Sequence, residues 1–154
     1  MKAVVATGRA AGTAGVRLAE RPRPEAAGND VLVEVHASGF TSGELTWPSN
    51  WRDRLGRDRT PSIPGHELAG VVSALGYGTA GLSVGRRVFG LTAWTRDGAP
   101  AECAADEARG EVVQQVRGGR LRTVIGNVAT LDDAAAAFNA TERVSGITVI
   151  RVRP

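Results

Sequence analysis

The sequence predicts a mainly β domain with short helices, a β-rich α+β chain that closes into a partly open barrel. Three observations carry that expectation. Short apolar runs recur between glycine and proline turns along the chain. One of them, Asp30–Ser38, alternates apolar and polar residues at the period of two that a half-buried strand needs. Only Val112–Val116 and Asp132–Ala140 read as helices, which fits a layered β architecture. A length of 154 residues suits one domain, 1–154, with room for a real core.

The elements follow in order. Residues 2–7 form a short apolar strand ended by Gly8, and Val16–Glu20 pairs back on it as a hairpin. Arg21-Pro22-Arg23-Pro24 is excluded from a central strand, because proline lacks the N–H and fixes φ. In Asp30–Ser38, Val31, Val33, Val35 and Ala37 share the inner face, with Glu34 and an exposed His36 opposite. Residues 39–62 lack periodicity but hold Trp47 and Trp51, whose apolar area favours burial over disorder. These two tryptophans read either as loop anchors on the core or as pocket walls, and Trp94 has the same standing. Strands are expected at 67–75, 86–91, 99–104, 123–128 and 146–152. Thr130 is the expected N-cap of the helix Asp132–Ala140, with Asp133 at the third helical position and Leu131 and Phe138 facing the core.

Composition narrows the function. The net charge is only +3, Lys2 is the sole lysine, and the dense run Trp51–Arg59 interleaves arginine with aspartate. A nucleic-acid surface needs an unbroken basic face with stacking aromatics, so no nucleic-acid partner is expected. Cys103 is the single cysteine, which excludes an internal disulfide and a cysteine-rich zinc cluster. No apolar run approaches the ~20 residues that span a bilayer, and the apolar start is too short for a signal peptide. The expectation is a cytoplasmic protein without a membrane partner.

Two motifs invite chemistry. Gly76-Tyr77-Gly78-Thr79-Ala80-Gly81 matches the letters of a dinucleotide fingerprint. A dinucleotide site needs a helix to start there, so that its N–H groups meet the pyrophosphate. The chain instead runs through Leu82-Ser83-Val84-Gly85 into another strand, so a β-turn is expected. His66-Glu67 is the strongest acid/base pair, since histidine titrates near neutrality and a carboxylate can hold its tautomer. Neighbours on a strand point to opposite faces, so the two act together only if the backbone at Pro64-Gly65 is irregular. Otherwise His66 is structural and Glu67 bonds nearby backbone. Glu44 is a further acid or base if buried, because desolvation raises a carboxyl pKa. Thr41 and Ser42 have no adjacent base to activate them. Cys103, among alanines without a nearby cation, reads as a packed thiol.

Pro64-Gly65-His66-Glu67, Gly70-Val71-Val72, the Gly76-x-Gly78 turn and Val84-Gly85-Arg86-Arg87-Val88 together resemble the medium-chain dehydrogenase/reductase family, in its zinc-free, quinone-oxidoreductase-like branch. The resemblance implies a GroES-like partly open β-barrel, in two blocks. Residues 1–104 match the family's N-terminal catalytic domain, and 112–154 match its C-terminal return. Residues 105–111 stand where the family inserts its Rossmann nucleotide domain. The family's zinc-binding run after the long strand becomes Thr41-Ser42-Gly43-Glu44 here, which leaves His66 alone among those ligands. The resemblance therefore implies no metal and no bound cofactor. It places Phe40, Thr41, Trp47, Trp51 and Trp94 along the old substrate cleft, with Glu44, His66 and Glu67 as the catalytic candidates.

The expected function is a cofactor-independent, non-redox enzyme of specialised metabolism. It would cyclise, add to, isomerise or dehydrate an enone- or quinone-like small molecule by acid/base catalysis. Two alternatives stand beside it. One is a non-catalytic module that forms a homodimer through the face left open by the missing domain. The other is an NADPH-dependent quinone/enone oxidoreductase fragment that borrows a nucleotide domain from another chain.

Overall fold

A computed structural model describes residues 1–41, 43–94, 96–98, 102–107, 124–138 and 145–154, the side chains of 105–107 excepted. Strands β1 (Lys2–Ala6) and β2 (Val16–Glu20) form the expected antiparallel hairpin. They are joined by a 3₁₀ segment, Arg9–Gly15, that kinks at Gly12.

The second sheet is built on β3 (Asp30–Phe40). One edge of β3 pairs antiparallel with β4 (Glu67–Leu75), which in turn pairs with β5 (Arg87–Leu91). The other edge is shared between two strands. β6 (Cys103–Glu107) takes Asp30–Glu34, and β8 (Ile147–Arg151) takes Ala37–Phe40. Strand β7 (Ile125–Thr130) lies parallel to β8 and closes the order β5-β4-β3-β8-β7. A short helix, α1 (Ala134–Phe138), follows β7.

The strand-rich, short-helix class expected from the sequence is therefore the observed one, as an open rather than closed sheet. Two details differ. The strand expected at 99–104 is found at Cys103–Glu107, so part of the 105–111 stretch is strand; residues 99–101 lie outside the described residues. The helix expected at Val112–Val116 also lies outside them.

β3 earns its central place from its residues. Val31, Val33 and Val72 form one buried cluster with Leu68, Leu75, Leu82 and Val88 around it. At the other end of β3, Phe40 enters a different cluster with Val4, Val16, Leu45, Trp51, Leu131, Phe138 and Ile150. Even-numbered Leu32 is buried too, at a point where the β3–β4 register is irregular. His36, expected exposed, is half-buried, and its carbonyl accepts the N–H groups of Val152 and Arg153. The Thr130–Asp133 contact forms, but α1 starts at Ala134 rather than Asp132, so the contact closes the turn before the helix and Thr130 is not its N-cap. The Asp133 N–H donates to Thr130 Oγ1 at 3.2 Å, and the Thr130 hydroxyl donates to the Asp133 carboxylate at 2.6 Å.

The turn Gly76–Gly81 leads through Leu82–Gly85 into β5, without a helix. Gly76 is required there, since a Cβ would lie 1.7 Å from the Ala27 carbonyl oxygen. Gly78 has φ +85°, a conformation natural to glycine. No helix among the described residues is long and apolar enough to cross a membrane.

Candidate active site

Glu44 enters the site from the loop after β3. Gly43 opens a 3₁₀ turn, Glu44–Thr46, and Pro48 starts another, Pro48–Asn50. Proline suits such a start, because its fixed φ is helical and its missing N–H leaves no donor to satisfy there. The turns fold Glu44 inward to 4% exposure. Its Oε1 accepts the Thr41 N–H at 3.0 Å, while Oε2 is buried without a hydrogen-bond partner. Burial pushes the carboxyl up to about 7 against the pull of the Thr41 and Gly65 amides, and the nearby Glu67 charge adds to the rise. Glu44 therefore sits near half-protonation at neutral pH, the poise of a group that both gives and takes a proton.

The His66 and Glu67 side chains have different neighbours. Gly65, at φ +81°, turns the chain just before β4. His66 is 1% exposed, and its Nδ1 lies 2.9 Å from the Thr92 hydroxyl. Its Nε2 is buried without a partner, and its ring meets the Trp94 indole at 5.0 Å. Burial, with the Arg59 charge adding to it, lowers its pKa to about 4, so the ring is neutral in ordinary buffers. The Glu67 carboxylate instead lies across β3, where a Cβ on Gly39 would come within 2.1 Å of Oε2. Glu67 and Glu44 thus make a carboxyl neighbourhood, and His66 belongs to a separate polar group with Thr92 and Arg59.

The aromatic candidates divide. Trp47 and Trp94 meet edge to face, ring centres 5.0 Å apart, with Trp94 45% exposed. Trp51 is a core anchor, its indole N–H donating to the Leu45 carbonyl at 2.9 Å. Phe40 is 4% exposed and stacks on Phe138 in the core. Thr41 is exposed and touches the site through its backbone N–H. Cys103 is buried, and burial pushes its thiol up, as suits a packed group.

Sequence reasoning missed Arg59, Thr92 and Asn50. The Asn50 amide donates to the Glu44 carbonyl and holds the turn closed. Arg59 donates to the carbonyls of Ser49 and Trp94. Arg59 lies in the Trp51–Arg59 run, where arginine is interleaved with aspartate, and nothing in its residue type distinguished it there. A cavity of about 330 Å³ lies elsewhere, between the Arg21–Ala27 segment, Asp97 and β6, and none of the candidate catalytic residues lines it.

The residues do not fit zinc. Thr41 stands where the family's metal-binding run carries a thiolate, and a cation beside His66 opposes a dication there. Among the described residues no group of three or more His, Cys, Asp or Glu gathers as a metal cage. Nor does the Gly76–Gly81 turn fit a nicotinamide dinucleotide, for it offers no helix N-terminus to the pyrophosphate.

A β domain with a site at the junction of its longest strand and the following loop is the architecture of a GroES-like catalytic domain. The family model described as the alcohol dehydrogenase GroES-like domain matches residues 27–137, and the chain belongs to that family. Its sequence is 35% identical over 78 residues to the L-threonine 3-dehydrogenase of Ruegeria pomeroyi, covering 49% of this chain and 22% of that protein. The chain thus spans well under half the length of this curated relative. Among solved structures, an NAD-dependent alcohol dehydrogenase superposes with a TM-score of 0.77 at 13% identity, covering 99% of this chain and 100% of that one. The quinone oxidoreductase from Coxiella burnetii superposes with a TM-score of 0.57 at 18% identity, covering 84% and 48%. These two likenesses are of fold.

Proposed function

We propose that this chain is a non-redox acid/base enzyme on the medium-chain reductase scaffold. Its substrate is an enone- or quinone-like small molecule, which it cyclises, adds to, isomerises or dehydrates without a bound cofactor. One observation carries the reading: a buried carboxyl, Glu44, with an unpartnered Oε2 and a pKa of about 7. Such a group takes the proton from a carbon next to a carbonyl and returns it to oxygen or to the neighbouring carbon. Burial keeps Glu44 in the protonatable range, and its proximity to Glu67 adds to the rise. Trp47, with the partly exposed Trp94 packed edge to face on it, borders the place a conjugated substrate would take.

Turnover of an enone and quinone panel without nicotinamide tests this. Wild-type protein converts a member of the panel, and Glu44→Gln loses at least a hundred-fold in rate. Full activity in a Glu44→Gln, His66→Ala double variant removes the assignment. Micromolar NADPH binding by calorimetry returns the chain to the reductases, the activity class named for its relatives, with a nucleotide domain supplied by another chain.

A second reading rests on a different observation. β7 is the last strand of its sheet among the described residues, and Ile125 and Val128 on it are more than half exposed, with Val124 beside them. Apolar residues on an open strand edge favour pairing with another chain. A homodimer through this edge fits beside the catalytic role.

A further inference from the structure

His66, Arg59 and Trp94 form a group that the proton transfer at Glu44 does not itself explain. His66 Nε2 and Arg59 Nη2 are both buried without a hydrogen-bond partner. The Arg59 side chain is only 10% exposed, and its Nη2 has the Asp97 carboxylate at 3.5 Å, an ion-pair contact alone. Both residues meet Trp94: the His66 ring lies against its indole, and Arg59 Nη1 reaches its carbonyl at 3.5 Å. A buried ring nitrogen with no partner, close to a buried guanidinium nitrogen that has only the Asp97 ion pair, is costly, and such a cost persists where a ligand removes it.

We propose that His66 Nε2–H and Arg59 Nη2–H form an oxyanion-binding pair, which holds the anionic or polarised oxygen of a planar, conjugated substrate once the Trp94 indole swings aside. Nδ1 lies 2.9 Å from the Thr92 hydroxyl, and we take that hydroxyl as the donor, which leaves the ring proton on the buried Nε2. Arg59 supplies the second donor and the positive charge. An enolate, phenolate or carboxylate oxygen accepts from both, and charge-assisted bonds of this kind are about twice as strong as neutral ones. The substrate ring then takes the place of the Trp94 indole against Trp47, which is half-buried and rigidly placed by the Pro48 turn. Trp94 can move at modest cost, because nearly half of its surface already faces solvent.

This deepens the acid/base reading and rests on it for the substrate class, but it can be tested alone. Benzoate and its neutral isostere benzamide are titrated into the full chain, read by tryptophan fluorescence and by the ring ¹⁵N resonances of His66, assigned with a His36→Gln variant. The proposal expects a protonated Nε2 in the free protein, saturable benzoate binding that shifts it, and benzamide at least ten-fold weaker. His66→Gln and Arg59→Lys each weaken benzoate about ten-fold, and Trp94→Ala speeds its association. Benzoate and benzamide binding equally, a ring proton on Nδ1, or no saturable benzoate binding in either wild type or Trp94→Ala overturns it. If Arg59→Lys does not fold, the His66→Gln titration and the benzoate-to-benzamide ratio decide. Glu44→Gln separates the two readings: it keeps benzoate binding where the oxyanion pair is right, whatever it does to turnover.

Discussion

Phe40 and Phe138 lie face to face, ring centres 3.5 Å apart and planes within 6°. Phe40 ends the long strand β3, and Phe138 ends helix α1, so this contact joins the two blocks of the sequence. Both are buried with Val4, Trp51 and Ile150. Truncating Phe138 to alanine leaves a cavity at that junction, and we expect a loss of about 3–4 kcal/mol in urea unfolding. Phe138→Leu keeps most of the volume and costs about 1 kcal/mol. Equal losses for the two would mean that the junction collapses around the gap.

Glu44 and His66 set opposite slopes in stability against pH. Glu44 moves from 4.5 to about 7 on folding. Between those values the folded state keeps a proton that the unfolded chain has lost, so stability falls as pH rises. His66 moves from 6.5 to about 4. Between those values the unfolded chain keeps a proton that the folded state lacks, so stability rises with pH. From pH 4.5 to 6.5 the two slopes cancel. Glu44→Gln therefore steepens the rise between pH 4 and 6.5 by about 3 kcal/mol relative to wild type, and His66→Gln exposes the fall between 4.5 and 7. Urea midpoints at half-unit pH steps measure both, and parallel profiles for all three proteins would remove the shifts.

Asp30 is a buried carboxylate held at 2.8 and 3.0 Å by both terminal nitrogens of Arg96. Arg96, first among the causes, lowers the Asp30 pKa. Arg96→Met strands that carboxylate, and because the guanidinium is partly exposed we expect a loss of about 2 kcal/mol at neutral pH. In the wild type the pairing stabilises above the unfolded value of 3.8 and is lost as pH falls through the lower folded value. The difference between the proteins should shrink below pH 4, when the stranded carboxyl is protonated. A constant difference down to pH 2 would assign the loss to packing instead.

Association through β7 is read by light scattering. Dimer formation at micromolar concentration, abolished by Ile125→Lys with Val128→Lys and unaffected by Tyr77→Lys, supports the edge contact. Tyr77 is the control because it is 96% exposed on the far turn. A monomer at all concentrations counts against it.

The strands were readable because their signals are local. The alternation of Asp30–Ser38, the glycines of the β4–β5 turn and the Thr130–Asp133 turn contact each sit within a few residues. Glu44 was readable as a conditional acid, and its burial supplied the condition. Arg59 was not, since its neighbours Arg52, Arg54 and Arg57 have the same chemistry and only the fold of the turn buries one of them. The tryptophans stayed ambiguous because an aromatic ring suits a core and a pocket wall equally. Parity could not sort Phe40, because β3 is irregular between Val35 and Ala37 and the two-residue alternation does not carry past that point; Phe40 enters a different cluster from Val31 and Val33.

The position of β8 between β3 and β7 also matters during synthesis. β7 leaves the ribosome before β8, its only strand partner in the sheet among the described residues. Until Ile147–Arg151 emerge, Ile125 and Val128 belong to an unpaired strand beside a nascent chain, a segment that other chains or holding chaperones can capture. Translation stalled just before Ile147 therefore strands two β-elements rather than one, and the last strand acts as the keystone for the one made before it.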